Sequence, residues 1–214
     1  MNKVQLIGYY GGDETHALSA WTSTSRDLTE DKRNRIDKLL YMLASEGHHT
    51  PFEKSSLHFL ICTDIATHIH ILKHRIGISV NAESARYKEI KEDCFYIPSD
   101  FPDTWQQKLE TYTKAGLDLY HECIKDLVDT HGFSRKRAKE AARFFRTYNT
   151  QISADVMFNF RSFAHFLGLR NTENAQLEVK NIAKEMLELI KNIDGNPFKY
   201  SLEGFNRLNK HFTE

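Results

Sequence analysis

Lys73-His74-Arg75-Ile76-Gly77-Ile78-Ser79-Val80-Asn81-Ala82-Glu83-Ser84-Ala85-Arg86-Tyr87 is the densest polar stretch of the chain. It directly follows a helix in which Ile65, Ile69 and Leu72, with Ile76 of the stretch itself, recur at helical spacing behind Asp64, a residue suited to cap a helix. Arginine presents a planar fork of donors that meets phosphate oxygens two at a time, and serine hydroxyls add single donors. A segment of this composition suits an anionic nucleotide whose ring edges must also be read. Taken alone, it reads equally well as a solvated polar loop.

On the N-terminal side, Val4 to Tyr10 reads as a short strand stopped by Gly11-Gly12. A helix is expected from Thr29, with Glu30 and Asp31 in its first turn, an apolar stripe of Ile36, Leu39, Leu40 and Leu43, and Gly47 as its stop. Leu57, Phe59 and Ile61 alternate as in a half-buried strand. On the C-terminal side, beyond Pro98 and Pro102, helical periodicity runs from Trp105 to about Val128. Ser134 then caps a basic helix through roughly Tyr148. Two more helices are expected, at about Arg161 to Leu169 and Glu173 to Ile193. The inventory points to an α+β fold, mainly helical, with a small antiparallel sheet. No repeat or Pro/Gly-rich linker divides the chain, so residues 1–214 read as one domain.

Composition narrows the function. Lysine plus arginine equals aspartate plus glutamate at 29 each, whereas a non-specific nucleic-acid binder carries a large basic excess. Cys62, Cys94 and Cys123 are odd in number and widely spaced, as in a reducing cytoplasm. With no signal-like start and no long apolar run, a soluble cytoplasmic protein is expected. His70 and His74 stand four apart and invite a metal reading, but no H-E-x-x-H pattern completes it, and no metal is expected.

Several separated segments agree in order and character with one family. The Lys73–Tyr87 stretch resembles the signature of the flavin-dependent thymidylate synthases: Arg-His-Arg, a spacer, Ser, Asn, Glu, Ser, then Arg-Tyr. Gly47-His48-His49-Thr50-Pro51-Phe52-Glu53 is similar to an upstream family segment, and Phe95-Tyr96-Ile97-Pro98 to a downstream one. Ala142-Arg143, Asn159-Phe160-Arg161-Ser162, Leu169-Arg170 and Ala175-Gln176-Leu177-Glu178 follow in the family's order. The resemblance implies a homotetramer that binds FAD in sites shared between chains. It also implies methylation of dUMP to dTMP, with methylene-tetrahydrofolate as carbon donor and NADPH as reductant. A related C5-methylase or hydroxymethylase acting on dUMP or dCMP is the alternative.

Residue roles carry over by position. Ser25, Thr50, Glu53, Lys73, His74, Arg75, Glu83, Asn159, Arg161 and His165 are expected to hold the flavin. A helix-end cation reading competes for His74 and Arg75, and a helix N-cap reading for Asn159. His70, Ser84, Ala85, Arg86, Arg143 and Arg170 are expected on the nucleotide, with Ser84 and Arg170 catalytic. Arg135, Lys139, Arg143 and Arg146 fall three or four apart and would share one helix face. The chain also departs from the family. Lys73 replaces the first arginine, and His70 stands where glutamine is usual. His165 and Asn174 occupy positions usually filled by asparagine and histidine. One extra residue between Arg75 and Ser84 separates Asn81 from Glu83, so a local bulge is expected there, which puts the role of Glu83 in question. A non-catalytic nucleotide-binding module and a metal-dependent nucleotide hydrolase are the other classes the residues allow.

Overall fold

Capped helices and alternating strands account for most of the architecture. The structure, a computed structural model, describes residues 2–84, 86–89 and 94–209. The elements are β1 (Lys3–Tyr10), α1 (Asp13–Trp21), α2 (Glu30–Arg33), α3 (Ile36–Ser45), β2 (Ser56–Asp64), α4 (Ile65–Leu72) and β3 (Ile78–Ala82). They continue with α5 (Asp103–Asp129), α6 (Arg135–Ala142), β4 (Gln151–Asn159), α7 (Phe160–Arg170), α8 (Leu177–Lys191) and α9 (Lys199–Asn209). The strands form one antiparallel sheet in the order β1-β2-β4-β3, so the class is the expected α+β, mainly helical. Asp64 Oδ1 accepts the Thr67 amide at 2.8 Å and Ser134 Oγ the Arg137 amide at 3.3 Å, so both expected caps are made.

Contacts group the chain into two units. The first contains Met1–Lys3, Cys62–Ile69 and Asn81–Ala154. Its core is Tyr120 and Ile124 of α5 against Ala138 and Ala142 of α6. Alanine on α6 and Gly116 on α5 allow close approach: a Cβ at Gly116 would stand 2.7 Å from the Phe145 carbonyl oxygen. The second unit contains Val4–Ile61, His70–Val80 and Asp155–Glu214. There α3 packs on α1 and α9, and α7 on α8. Val179, Ile182, Ala183, Met186, Leu187 and Ile190 of α8 form a fully buried stripe at helical spacing. Beside it, Phe160 stacks on Phe198 with ring centroids 5.5 Å apart.

Four differences from the sequence reading stand out. The helix expected from Thr29 is two helices, parted at Asn34-Arg35 before the stripe begins at Ile36. The basic helix stops at Ala142 rather than near Tyr148; Arg143–Phe145 is a 3-10 turn, and Arg146 is already extended. Asn149 fixes that exit, its Nδ2 donating to the Tyr96 carbonyl at 3.0 Å and to Thr113 Oγ1 at 2.9 Å. Strand β4 was not anticipated, although Ala154, Val156 and Phe158 are buried alternately with Ser153, Asp155 and Met157. Helices α1 and α9, also unanticipated, form around a buried polar chain. Asp13 accepts the Tyr200 and Ser201 amides at 2.8 and 2.9 Å, and His16 bridges Ser201 and Ser55 at 2.8 Å each.

Candidate active site

In the second unit, the head of α7 organises a cleft. Asn159 takes extended backbone, and its Oδ1 accepts the Ser162 amide at 2.8 Å, which makes it the helix N-cap. Ser162 Oγ donates to the Ile76 carbonyl at 2.6 Å, and the Asn159 amide donates to the Gly77 carbonyl at 3.0 Å. The start of the signature stretch is thereby tied to α7. Gly77 permits this approach: its φ is +66°, and a Cβ there would lie 2.3 Å from both Asn159 Nδ2 and Ser162 Oγ.

The cleft measures about 480 Å³. Its polar side carries His49, Glu53, Arg161 and His165, and its apolar side Ile76, Leu169 and Phe205. Arg161 Nη1 donates to Glu53 Oε1 at 2.5 Å. The volume lies within the range of roughly 300–1,000 Å³ common to small-molecule sites. Gly168 lines the cleft as well, and a Cβ added there would meet open space. Cationic, hydrogen-bonding and apolar groups around one cleft fit a planar aromatic cofactor with an anionic tail.

His74 lies just past the end of α4, not on it, so it does not share a helix face with His70. Its Nε2 accepts the Arg170 Nε–H at 3.0 Å, and its ring meets Phe166 edge-on at 5.0 Å. Burial, helped by the charges of Arg170, His165 and His70, pulls its pKa down to about 4. The imidazole is therefore neutral near pH 7, with its proton on Nδ1.

The first unit carries a different cluster. Strand β3 alternates without interruption, placing Ser79 and Asn81 on the exposed face, so no bulge accommodates the extra residue within it. Glu83 pairs with β4: its amide donates to the Ser153 carbonyl at 2.9 Å. Its carboxylate accepts Ser153 N–H at 3.3 Å and Lys88 Nζ at 2.6 Å. Ser84 begins a turn in which its carbonyl accepts the Tyr87 and Lys88 amides at 3.0 and 2.9 Å and its Oγ the Arg86 amide at 3.3 Å. Helix α6 straps this turn down. Arg135 grips Glu89 through Nε and Nη2 at 3.1 and 2.7 Å, Lys139 Nζ donates to the Tyr87 carbonyl at 3.0 Å, and Arg86 Nε donates to Glu140 at 2.7 Å. Arg86, Arg137, Glu140, Arg143 and Phe144 line a pocket of about 390 Å³.

The expected residues thus fall into groups. Glu53, Arg161 and His165 share the cleft, while Arg86 and Arg143 share the arginine pocket. His74 and Arg170 are bonded to each other. Thr50, Lys73 and Arg75 are exposed and do not line the cleft. Ser25 belongs to an exposed turn closed by Asp27 and Lys32. His70 is half-buried in the last turn of α4. Ala85 lies outside the described residues. The proposed basic stripe is broken: Arg135 and Lys139 hold the 84–89 turn, and Arg146 follows the end of the helix. Sequence reasoning assigned no role to His49, Ser162, Arg137 or Glu140. His49 and Ser162 stand inside the Gly47–Glu53 and Asn159–Ser162 motifs, and Glu140 follows Arg137 by three residues on a basic helix. Its partner Arg86 comes from a distant part of the chain.

This fold is known among nucleotide methylases. The crystal structure of the UMP/dUMP methylase PolB from Streptomyces cacaoi, bound with 5-Br dUMP, matches with a TM-score of 0.79 at 24% identity, covering 98% of this chain and 97% of that one. The family described as thymidylate synthase complementing protein matches residues 5–194. The flavin-dependent thymidylate synthase of Pseudothermotoga lettingae is 30% identical over 197 residues, covering 89% of this chain and 85% of that protein. That of Thermococcus onnurineus is 32% identical over 202 residues, covering 90% and 74%. The chain belongs to the flavin-dependent thymidylate synthase family and is an enzyme of that class.

Proposed function

We propose that this enzyme methylates dUMP at C5 to give dTMP, using FAD, methylene-tetrahydrofolate and NADPH. The observation that carries the reading is the arginine pocket: three guanidiniums facing one carboxylate form a surplus of positive charge suited to a phosphomonoester. Arg86 and Arg143 take the phosphate, and in sites shared between chains an Arg170 presents its fork to the carbonyl edge of the pyrimidine. His74, neutral and accepting from Arg170 Nε, holds that fork in register without adding a second cation. Ser84 shapes the turn that delivers Arg86.

Glu53, Asn159, Arg161 and His165 are the residues proposed to hold FAD, with Thr50, Lys73, Arg75, Ser25 and Glu83 as more peripheral contacts. The chemistry a bound flavin supplies is hydride delivery to the transferred carbon, with NADPH as reductant and the folate as carbon donor. Ile76, Leu169 and Phe205 offer the ring of that cofactor an apolar surface to pack on. Residues 1–214 act as one catalytic domain in a cytoplasmic homotetramer whose sites draw on several chains. Among the described residues no helix is long and apolar enough to cross a membrane.

Lys73 and the unbulged extra residue before Ser84 favour one second reading, altered base choice or carbon fate on dUMP or dCMP. The test incubates the protein with FAD, NADPH, methylene-tetrahydrofolate and each nucleotide, and identifies the products by mass spectrometry. Thymidylate from dUMP is the expected result. A hydroxymethylated or cytosine product replaces the first reading with the second, and failure to take up FAD defeats both.

A further inference from the structure

We propose that Glu140 is a specificity-determining residue that restricts the arginine pocket to a single terminal phosphate. The inference rests on the proposed nucleotide reading and adds a residue to it. Glu140 lies on α6 with Oε1 2.7 Å from Arg86 Nε and Oε2 3.9 Å from Arg137 Nη1. The Arg86 contact is made through Nε, so the two Nη groups of the same guanidinium stay outside it and remain available to a ligand. Among the described residues no carboxylate pairs with Arg143, whose guanidinium instead sits 5.7 Å from the Phe144 ring centroid. The pocket thus contains three fixed positive charges and one fixed negative charge, a surplus of two.

A phosphomonoester dianion balances that surplus. A nucleoside diphosphate places a second phosphoryl group in the same pocket, where it exceeds the available charge and meets the Glu140 carboxylate. Like charges brought together at a binding surface oppose association strongly and are a common device against wrong partners. Glu140 thus has two separable effects. As an acceptor it aims Arg86, and as an anion it repels a second phosphate. The Arg86 contact holds the carboxyl below its usual range, so the anion persists near neutral pH.

Glu140→Gln separates the two effects, because the amide oxygen still accepts from Arg86 Nε while the charge is gone. Calorimetric titration of the FAD-loaded protein with dUMP and with dUDP gives a selectivity ratio for each form. The wild type favours dUMP, and in E140Q the preference falls by about tenfold, chiefly through tighter dUDP binding. In E140A, which also removes the acceptor, dUMP binding weakens as well. An unchanged ratio in E140Q overturns the proposal, as does a wild-type enzyme that binds dUDP as tightly as dUMP. A protein that binds neither nucleotide while still taking up FAD instead defeats the nucleotide assignment on which the proposal rests.

Discussion

Arg170 donates through Nε to Nε2 of His74 at 3.0 Å, joining a residue at the end of α7 to one in the signature stretch. The bond requires a neutral imidazole, since a doubly protonated ring has no acceptor. Burial is the main reason that form persists, and the Arg170 guanidinium adds to it. In Arg170→Gln the His74 pKa rises from about 4 but stays below the ordinary value of 6.5, because burial remains. Titration followed by NMR of the histidine ring protons checks this. A pKa that does not move means that Arg170 has no electrostatic hold on His74.

Gly77→Ala tests how the signature stretch is tied down. The added Cβ meets Asn159 Nδ2 and Ser162 Oγ, in a backbone conformation that disfavours any Cβ. Strain of this kind costs about 1–3 kcal/mol. Urea unfolding should show that loss, and flavin uptake should weaken with it. A variant as stable as the wild type removes the Gly77 contact from the account of the cleft.

The two basic clusters should be separable in binding. Arg143→Ala and Arg86→Ala are expected to weaken dUMP roughly tenfold to a hundredfold, the loss of a charge-assisted contact to phosphate, with FAD affinity preserved. Arg161→Ala should do the reverse. Fluorescence titration of the flavin beside calorimetry of the nucleotide measures both. Parallel losses in all three variants would mean that the assignments of the two clusters are wrong.

Acid stability depends on a buried pair, Asp13 and His16. Burial lowers His16 to a pKa of about 3 and raises Asp13 to about 6, against the hydrogen bonds from Ser201 and Tyr200 that pull Asp13 down. The unfolded chain protonates His16 first, so folding loses stability as pH falls from 6.5 towards 3. Asp13 has the opposite sign: the folded state takes its proton first, which adds stability as pH falls from about 6 to 3.8. The net decline is therefore shallow in that window and steep below it. Asp13→Asn should remove the offset and make the decline continuous from 6.5, whereas His16→Gln should abolish the decline due to this pair. Urea midpoints measured across the pH range distinguish these outcomes.

Local chemistry made much of this protein legible before any tertiary contact was known. Asp64 and Ser134 announce caps because a short side-chain acceptor before an apolar period satisfies free helix amides, and α5 and α8 follow from spacing alone. The motif order from Gly47 to Glu178 is enough to indicate the family. What stayed hidden depends on partners remote in sequence. Strand β4 has clear alternation, yet it is a strand because β2 and β3 lie on either side of it. That Asn159 caps α7 is decided only by the position of the Ser162 amide, and a cap can also serve as the cofactor contact proposed for it. Glu140 is one acid among helix cations in the sequence, and only folding bonds it to Arg86, fifty-four residues away. Periodicity and capping act within a few residues of the chain. Ion pairs, strand neighbours and the neutral state of His74 arise from burial and from groups that only folding brings together.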